Sequence, residues 1–480
     1  MKSSHFMIAL ALSGFPVAAG AQQTPRPGAR PPAATGAPRI PLETYKLANG
    51  LTVLLSVDHT APVVAVDVEH HVGSKNEEVG RTGFAHLFEH VMFTGSGHVP
   101  YGTHDKFTEG VGGSNNGSTN NDKTNFYESV PSNYLETELW LEADRLGWLL
   151  DALDIAKLNA QRDIVKNERR QSTDNRPYGR VSEIMDAAMF PEGHPYHWPV
   201  IGSMTDLTAA SEADVKGFFN KWYGPNNSVL VIAGDFNPAQ AKAWVQKYFG
   251  DIPRGPAVIR PTVPQARLDK PLRFVYEDNV SLPELFAEWP GVGVRSADRA
   301  ALSIMGTIIS GDRTQWLTQE FVYNRKWASS ISLRPSMNEN AGTVNLTVVP
   351  TPGADLTKLE AAIDSVIDRF KREGPTAAQM KKATASIEFN SYNRMTSTLG
   401  KAFALASGWV YHDDPAWYVR DITETLAVTA ADVKRVANTY LGANRIVLSA
   451  VPMGKRNLAS NADKSTPITS PFASKQEVGQ

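Results

Sequence analysis

The chain has 480 residues, 42% of them hydrophobic and 20% charged, with a formal net charge of −2 and no cysteine. That length exceeds one compact core and predicts at least two domains; the composition is globular, and so small a net charge leaves no basic field to recruit nucleic acid or an anionic membrane. Without cysteine there is no disulfide, no thiolate metal site and no cysteine to carry a lipid.

At the N-terminus Lys2 precedes an apolar run over 6–17 and the small-residue segment Ala19-Gly20-Ala21, the pattern of a cleavable secretory signal over 1–21. The run is shorter than the ~20 residues a membrane span needs, and no later stretch is long enough. The expectation is export to the periplasm with no integral membrane association. Residues 22–41, dense in proline, alanine, glycine and arginine, read as a semi-extended linker.

A first domain is expected over 42–250. Residues 45–57 read as strand, turn at Asn49-Gly50 and strand, and 63–72 as a further strand. Next comes Gly83-Phe84-Ala85-His86-Leu87-Phe88-Glu89-His90-Val91-Met92-Phe93. At helical spacing His86 and His90 share a face with Glu89, so both imidazoles reach one tetrahedral ion while the carboxylate stands beside its open position. Leu87, Phe88, Val91 and Phe93 make the helix a buried one, where two imidazoles and a carboxylate are costly without a partner. One zinc ion per chain is that partner, and H-x-x-E-H is the inverzincin order.

Residues 110–122, rich in glycine, asparagine and serine, have the composition of a surface loop. Yet 124–130 resumes a strand pattern, and glycines beside a strand permit close approach of another backbone. Residues 158–171 read as an amphipathic helix with Ile164 and Val165 inward, and 161, 164, 165 and 168 on one stripe. Glu168 is therefore the candidate third ligand; its other reading is a solvated glutamate paired with Lys166, Arg169 or Arg170. His70, His71, His98, His104, His194 and His197 lack such spacing and read as structural or surface residues.

Residues 251–271, with prolines at 253, 256, 261, 264 and 271, read as the interdomain linker. The second domain, 272–454, repeats the first. Ala213-Asp214-Val215-Lys216 recurs as Ala431-Asp432-Val433-Lys434 at an offset of 218, and Gly224, Asn226, Val229 and Leu230 recur as Gly442, Asn444, Val447 and Leu448. At an offset of 216, Leu302, Met305 and Gly306 stand where His86, Glu89 and His90 stood, so the second copy has no metal ligands. From Lys455 the chain turns polar, and a mobile tail is expected over 455–480.

On these residues the chain resembles the pitrilysin/insulinase family of inverzincin zinc metallopeptidases, nearest in layout to its bacterial members that are like the mitochondrial processing peptidases. The step of 78 from His90 to Glu168 fits the family's spacing. Gly112-Gly113-Ser114-Asn115-Asn116 with Thr119, Asp122 and Thr124, and His194-Pro195-Tyr196 leading to Val200-Ile201-Gly202, are further echoes. The resemblance implies an α+β fold of two homologous halves, each a sheet packed by helices, facing each other across a chamber.

It also implies roles: His86, His90 and Glu168 as zinc ligands, Glu89 as general base, and Gln161 in place of a frequent second glutamate. Gly113, Ser114 and Thr119 would lie on an edge strand that pairs with an extended peptide substrate, with Asn116 holding it through its amide. Active members carry an arginine and, seven positions later, a tyrosine in the second half; here Val322 and Ser329 occupy those places, and Tyr323 and Arg325 stand nearby in the wrong order. The expectation is a zinc metalloendopeptidase acting as the catalytic subunit of a hetero-oligomer, whose homologous partner supplies the arginine and tyrosine. The alternative is a non-catalytic structural or binding subunit of a larger complex.

Overall fold

The computed structural model describes residues 39–260 and 263–473. The signal expected over 1–21 and nearly all of the linker at 22–41 lie outside the described residues. Two six-stranded sheets form the frame. In the first, β1 (Glu43–Lys46), β2 (Thr52–Val57), β3 (Val63–His70), β4 (Ser114–Thr119), β5 (Thr124–Pro131) and β6 (Ser228–Gly234) run in the order β1-β2-β6-β3-β5-β4. In the second, β7 (Leu272–Asp278), β8 (Glu284–Pro290), β9 (Ala328–Met337), β10 (Gly342–Pro350), β11 (Ile446–Pro452) and β12 (Thr466–Pro467) run β12-β7-β11-β8-β10-β9. The orders correspond strand for strand, and the parallel pair β2–β6 is matched by β7–β11.

The helices of the first half are α1 (Phe84–Val91), α2 (Thr103–Gly110), α3 (Leu135–Ala152), α4 (Ile155–Arg169), α5 (Val181–Met189), α6 (Met204–Ala209), α7 (Glu212–Trp222) and α8 (Pro238–Phe249). Those of the second are α9 (Arg299–Ser310), α10 (Leu356–Glu373), α11 (Ala377–Arg394), α12 (Thr398–His412), α13 (Trp417–Ala427) and α14 (Ala430–Tyr440). This is an α+β fold of two homologous halves.

Strands such as β6, apolar at successive positions and buried throughout, need cover on both faces. One face of the first sheet packs Val64, Val66, Val68, Leu230 and Ile232 against Leu139 of α3 and Val245 and Phe249 of α8. The other packs Val229, Val231 and Ala233 against Ala402, Leu405 and Ala406 of α12, a helix of the second half. Reciprocally, Ile446, Leu448 and Ala450 of the second sheet pack on Val181, Ile184, Met185 and Met189 of α5, a helix of the first. Each buried Val, Ile or Leu contributes about 1.5–3 kcal/mol, so the exchanged helices fasten the halves strongly. The space left between the halves narrows to a cavity of about 880 Å³ between the segment around α5 and the inner face of β8 and β10.

A second fastening is ionic. The β9–β10 hairpin tip enters the first half, where Glu339 accepts from His71 Nε2 (2.6 Å) and from Lys75. Asp122, just past β4, accepts from the backbone N–H of Glu339 at 2.8 Å and from the Tyr196 hydroxyl at 2.7 Å. The side chains of His71, Lys75, Asp122 and Glu339 are all buried.

Three expectations are corrected here. The offset of 218 holds at the helices, where Ser211 with Asp214 caps α7 as Thr429 with Asp432 caps α14. It slips in the strand: Thr52 pairs with Val229 but Leu272 with Ile446, one residue short of that offset. A one-residue slip turns every side chain to the other face, so Val229 meets α12 while Val447 joins the opposite core. Next, Ile164 is not inward but 46% exposed. The buried stripe of α4 is Leu158, Gln161, Val165 and Arg169, the last a charged residue that an apolar pattern does not count.

Finally, the tail expected to be mobile from Lys455 is packed through Ala473. Ser460 donates its hydroxyl to Glu360 and its N–H to the Ser449 hydroxyl of β11 at 3.0 Å, β12 extends the second sheet beyond residue 454, and the Ser470 hydroxyl donates to Glu183 at 2.7 Å. Its polar residues serve buried carboxylates instead of water.

Candidate metal centre and active site

α1 starts at Gly83, whose φ of 89° is left-handed and favours glycine. Gly83 abuts Gly202, where a Cβ would come within 2.5 Å of the Gly83 Cα, so the turn preceding α6 fixes where α1 begins. Glu77 satisfies the free helix-end amides, accepting from the N–H groups of Gly83 and Ala85, both at 2.9 Å. Phe84, Leu87, Phe88 and Val91, at i, i+3, i+4 and i+7, are buried with Leu158 and Val165 of α4 and with Phe219 and Tyr223. The remaining face of α1 carries His86, Glu89 and His90.

That face meets Glu168 on the last turn of α4. Glu168 Oε2 lies 3.2 Å from His90 Nε2 and 3.7 Å from His86 Nε2, and the three donors fall within 4.8 Å of one another. These separations bracket the ~3.3 Å edge of a tetrahedron with zinc bonds of about 2.0–2.1 Å. Burial, aided by the charge of His90, pushes His86 down to about 4, so its ring is neutral near pH 7, the form a metal requires. Its Nδ1 is buried without an acceptor. Two imidazoles and one carboxylate of this geometry fit zinc, and they leave an open side: the side chains of His86, His90 and Glu168 are 12%, 24% and 43% exposed.

Glu89 points at β4. Its Cγ would stand 3.1 Å from a Cβ on Gly117, so glycine there makes room for it, and its carboxylate bonds Thr119. Burial raises its pKa, and the Glu168 charge adds to this, while Thr119 and His90 oppose. β4 is an edge strand of the first sheet among the described residues. Gly117 and Thr119 face α1, so by strand alternation Ser114 and Asn116 face the other way. Asn116 Oδ1 accepts from the Gly117 N–H at 2.8 Å; Gly113 N–H donates to Thr108 O at 2.8 Å. Gln161 is buried beneath the site on α4.

The six histidines read as structural or surface residues have partners elsewhere: His70 with Ser228, His71 with Glu339, His98 with Asp144, His104 with Arg145, His194 with Pro264 O and His197 with Phe190 O. His104 also clusters with Glu128 and Glu142, but the Arg145 guanidinium already fills that cluster, 2.7 Å from His104 Nδ1 and 2.8 Å from Glu142. In the second half Val322 packs on the core and the Ser329 hydroxyl donates to Val349 O at 3.1 Å. Arg325 is held by Glu320 at 2.7 Å and lies over Trp327, and Tyr323 is exposed. Sequence reading missed Glu77 and Arg169, whose partners are set by the fold and not by spacing.

Residues 52–195 match the family model "Insulinase (Peptidase family M16)" and residues 209–387 the "Peptidase M16 inactive domain", which takes in much of the half lacking metal ligands. The chain is 26% identical to the zinc protease PqqE of Helicobacter pylori over 411 residues, 83% of this chain and 90% of that one. A solved protease from Helicobacter pylori superposes with a TM-score of 0.80 at 25% identity, covering 86% of this chain and 100% of that chain. The periplasmic protease PqqL from Escherichia coli superposes at 0.70 with 18% identity, covering 90% of this chain but 49% of that longer one. With both halves matched in order and the fold reproduced, this chain belongs to the insulinase family, peptidase family M16, also called the pitrilysin family.

Proposed function

We propose that the chain is a zinc metalloendopeptidase that hydrolyses peptides held in extended form along β4. The convergence of His86, His90 and Glu168 at an open rim, with Glu89 beside them, carries this reading. These three residues hold the zinc, which when bound supplies an acidified water and a Lewis acid for the scissile carbonyl. Glu89 takes the proton of the attacking water and passes it to the leaving amine as the C–N bond breaks; Thr119 holds it in place. The substrate strand adds to the edge, taking the Gly117 N–H that Asn116 otherwise occupies, beside Gly113 and Ser114, and such backbone pairing gives broad specificity. Gln161 supports α4 from beneath.

The chain works as one subunit of a hetero-oligomer. Val322 and Ser329 cannot donate to a developing oxyanion what a guanidinium and a phenol would, a contribution of ~3 kcal/mol per donor, and a homologous partner supplies an arginine and a tyrosine instead. That the solved PqqL chain is about twice as long as its matched part supports a second unit of this size. The site of action is the periplasm, on the strength of Lys2 and the apolar run that follows. Glu89→Gln should retain zinc and lose turnover of a quenched fluorescent peptide by ~10²–10⁴-fold, measured with and without the partner. Near wild-type cleavage by that variant, or cleavage indifferent to a chelator, would sink the reading.

A further inference from the structure

The carboxylate of Glu168 has no partner among the described residues apart from the two imidazoles. Its placement is therefore inherited from the backbone at the end of α4, and that backbone is anchored by the next residue. Arg169 is fully buried. Its guanidinium donates to Glu183 at 2.5 and 3.2 Å, to Gly202 O at 2.8 Å and to Phe472 O at 3.3 Å. Gly202 is the residue pressed against Gly83 at the start of α1. One buried side chain thus ties the helix carrying Glu168 to the helix carrying His86 and His90.

The C-terminal segment closes the shell around that side chain. The Ser470 hydroxyl donates to Glu183 Oε2 at 2.7 Å and accepts from the Phe472 N–H at 3.2 Å, which aims the Phe472 carbonyl at Arg169. The Phe472 ring packs edge-on against His197, 5.8 Å between centroids. Just upstream, Ile468 N–H bonds Val275 O of β7. The segment therefore reaches from the second sheet to the metal-bearing helices of the first half. Removing it would leave a buried guanidinium and Glu183 each short of a partner, and buried charges tolerate that poorly.

We propose that residues 468–473 are a positioning element for the metal centre: by completing the shell of Arg169 and Glu183 they hold the ligand-bearing parts of α1 and α4 at the separation a metal needs. This rests on the zinc reading above. Partners in the outer shell of metal sites change metal affinity by about 10–100-fold when lost, and the same scale is expected here.

The experiment measures zinc affinity and the rate of zinc release to a chromogenic chelator for the full chain, Ser470→Ala, Ser470→Thr and a chain ending at Pro467, all well below their melting temperatures. The shortened chain should bind zinc about tenfold or more weakly, Ser470→Ala should release it faster, and Ser470→Thr, which keeps the hydroxyl, should behave as wild type. A synthetic peptide spanning 464–480 should slow zinc release from the shortened chain. A folded shortened chain with wild-type zinc affinity would overturn the proposal; if that chain fails to fold, Ser470→Ala with unchanged zinc release overturns it instead. A wild-type chain that binds no zinc would sink the metal reading itself, a result distinct from either.

Discussion

Where α1 carries His86, Glu89 and His90 at a rim open to solvent, α9 carries Leu302, Met305 and Gly306, all buried. The scaffold tolerates both because the apolar stripe of each helix does the packing, leaving one face free to be a site or a core. A subtler difference lies on the inner faces. Glu69 stands opposite Asn125 on β5, and Glu288 opposite Asn345 on β10, so the two glutamates are equivalent. Lys123 pairs with Glu69. Two residues before Asn345 the corresponding place is Thr343, and Glu288, with Asp186 nearby, is pushed up to about 8 by burial and then by that charge. The duplication kept the position of a buried acid and lost its counter-charge.

The largest effects should come from exchanging the residues that distinguish the helices. Glu89→Met should abolish turnover by ~10²-fold or more while leaving the melting temperature unchanged or raised. Met305→Glu should destabilise by about 3 kcal/mol or more, since it buries a carboxylate with no cation. Equal stability effects of the two exchanges, in denaturant titrations, would mean that the halves are not differentiated as described.

Glu339→Ala tests whether the ionic fastening or the exchanged helices join the halves. It should cost up to about 3 kcal/mol by leaving Lys75 with Asp122 alone, 3.1 Å away, in a buried site. Burial alone would raise the pKa of Glu339, but His71 and Lys75 override it and hold it down to about 2. At His71 burial outweighs its bond to Glu339 and holds the ring's pKa below its ordinary value, so the facing charges are Lys75 and, 3.6 Å away, Arg295. The folded pKa lies below the unfolded value of 4.5, so this stabilisation is present above 4.5 and is lost as pH falls towards about 2. Wild type and variant should converge over that range.

Glu288 has the opposite sign. Its folded pKa of about 8 exceeds 4.5, so its contribution is present below 4.5 and lost as pH rises through about 8. Glu288→Gln should gain stability relative to wild type across that window, read in urea melts at pH 5 and pH 9; a difference constant with pH would place the acid in contact with a cation. The smallest effects belong to features the halves share. Ser211→Ala and Thr429→Ala should each cost about 1 kcal/mol as lost helix caps, with zinc content unaltered.

The grouping of the candidate metal centre was legible because its first part is local: three residues about one helix turn apart, read by periodicity. Glu168 was legible through a helical stripe, although that stripe was placed with Ile164 inside and took no account of Arg169. Charged residues that go inside with a partner cannot be told from solvated ones until the partner, here Glu183, is brought near by the fold. The repeat was legible at the level of helices, but identities at a fixed offset could not detect the single-residue slip that sets Val447 on the opposite face from Val229. The tail was misread for a similar reason, since Ser460 and Ser470 look like solvent-facing residues until Glu360 and Glu183 are found beneath them. Nothing local announced that α5 and α12 trade places.

That trade bears on how the chain is made. The inner face of the first sheet lacks most of its cover until residues 398–412 exist to form α12, because among the described residues that helix packs on Val229, Val231 and Ala233. A nascent chain thus carries an unfinished apolar sheet through most of its length. The half bearing His86, His90 and Glu168 therefore cannot complete its buried sheet until the second half has been made.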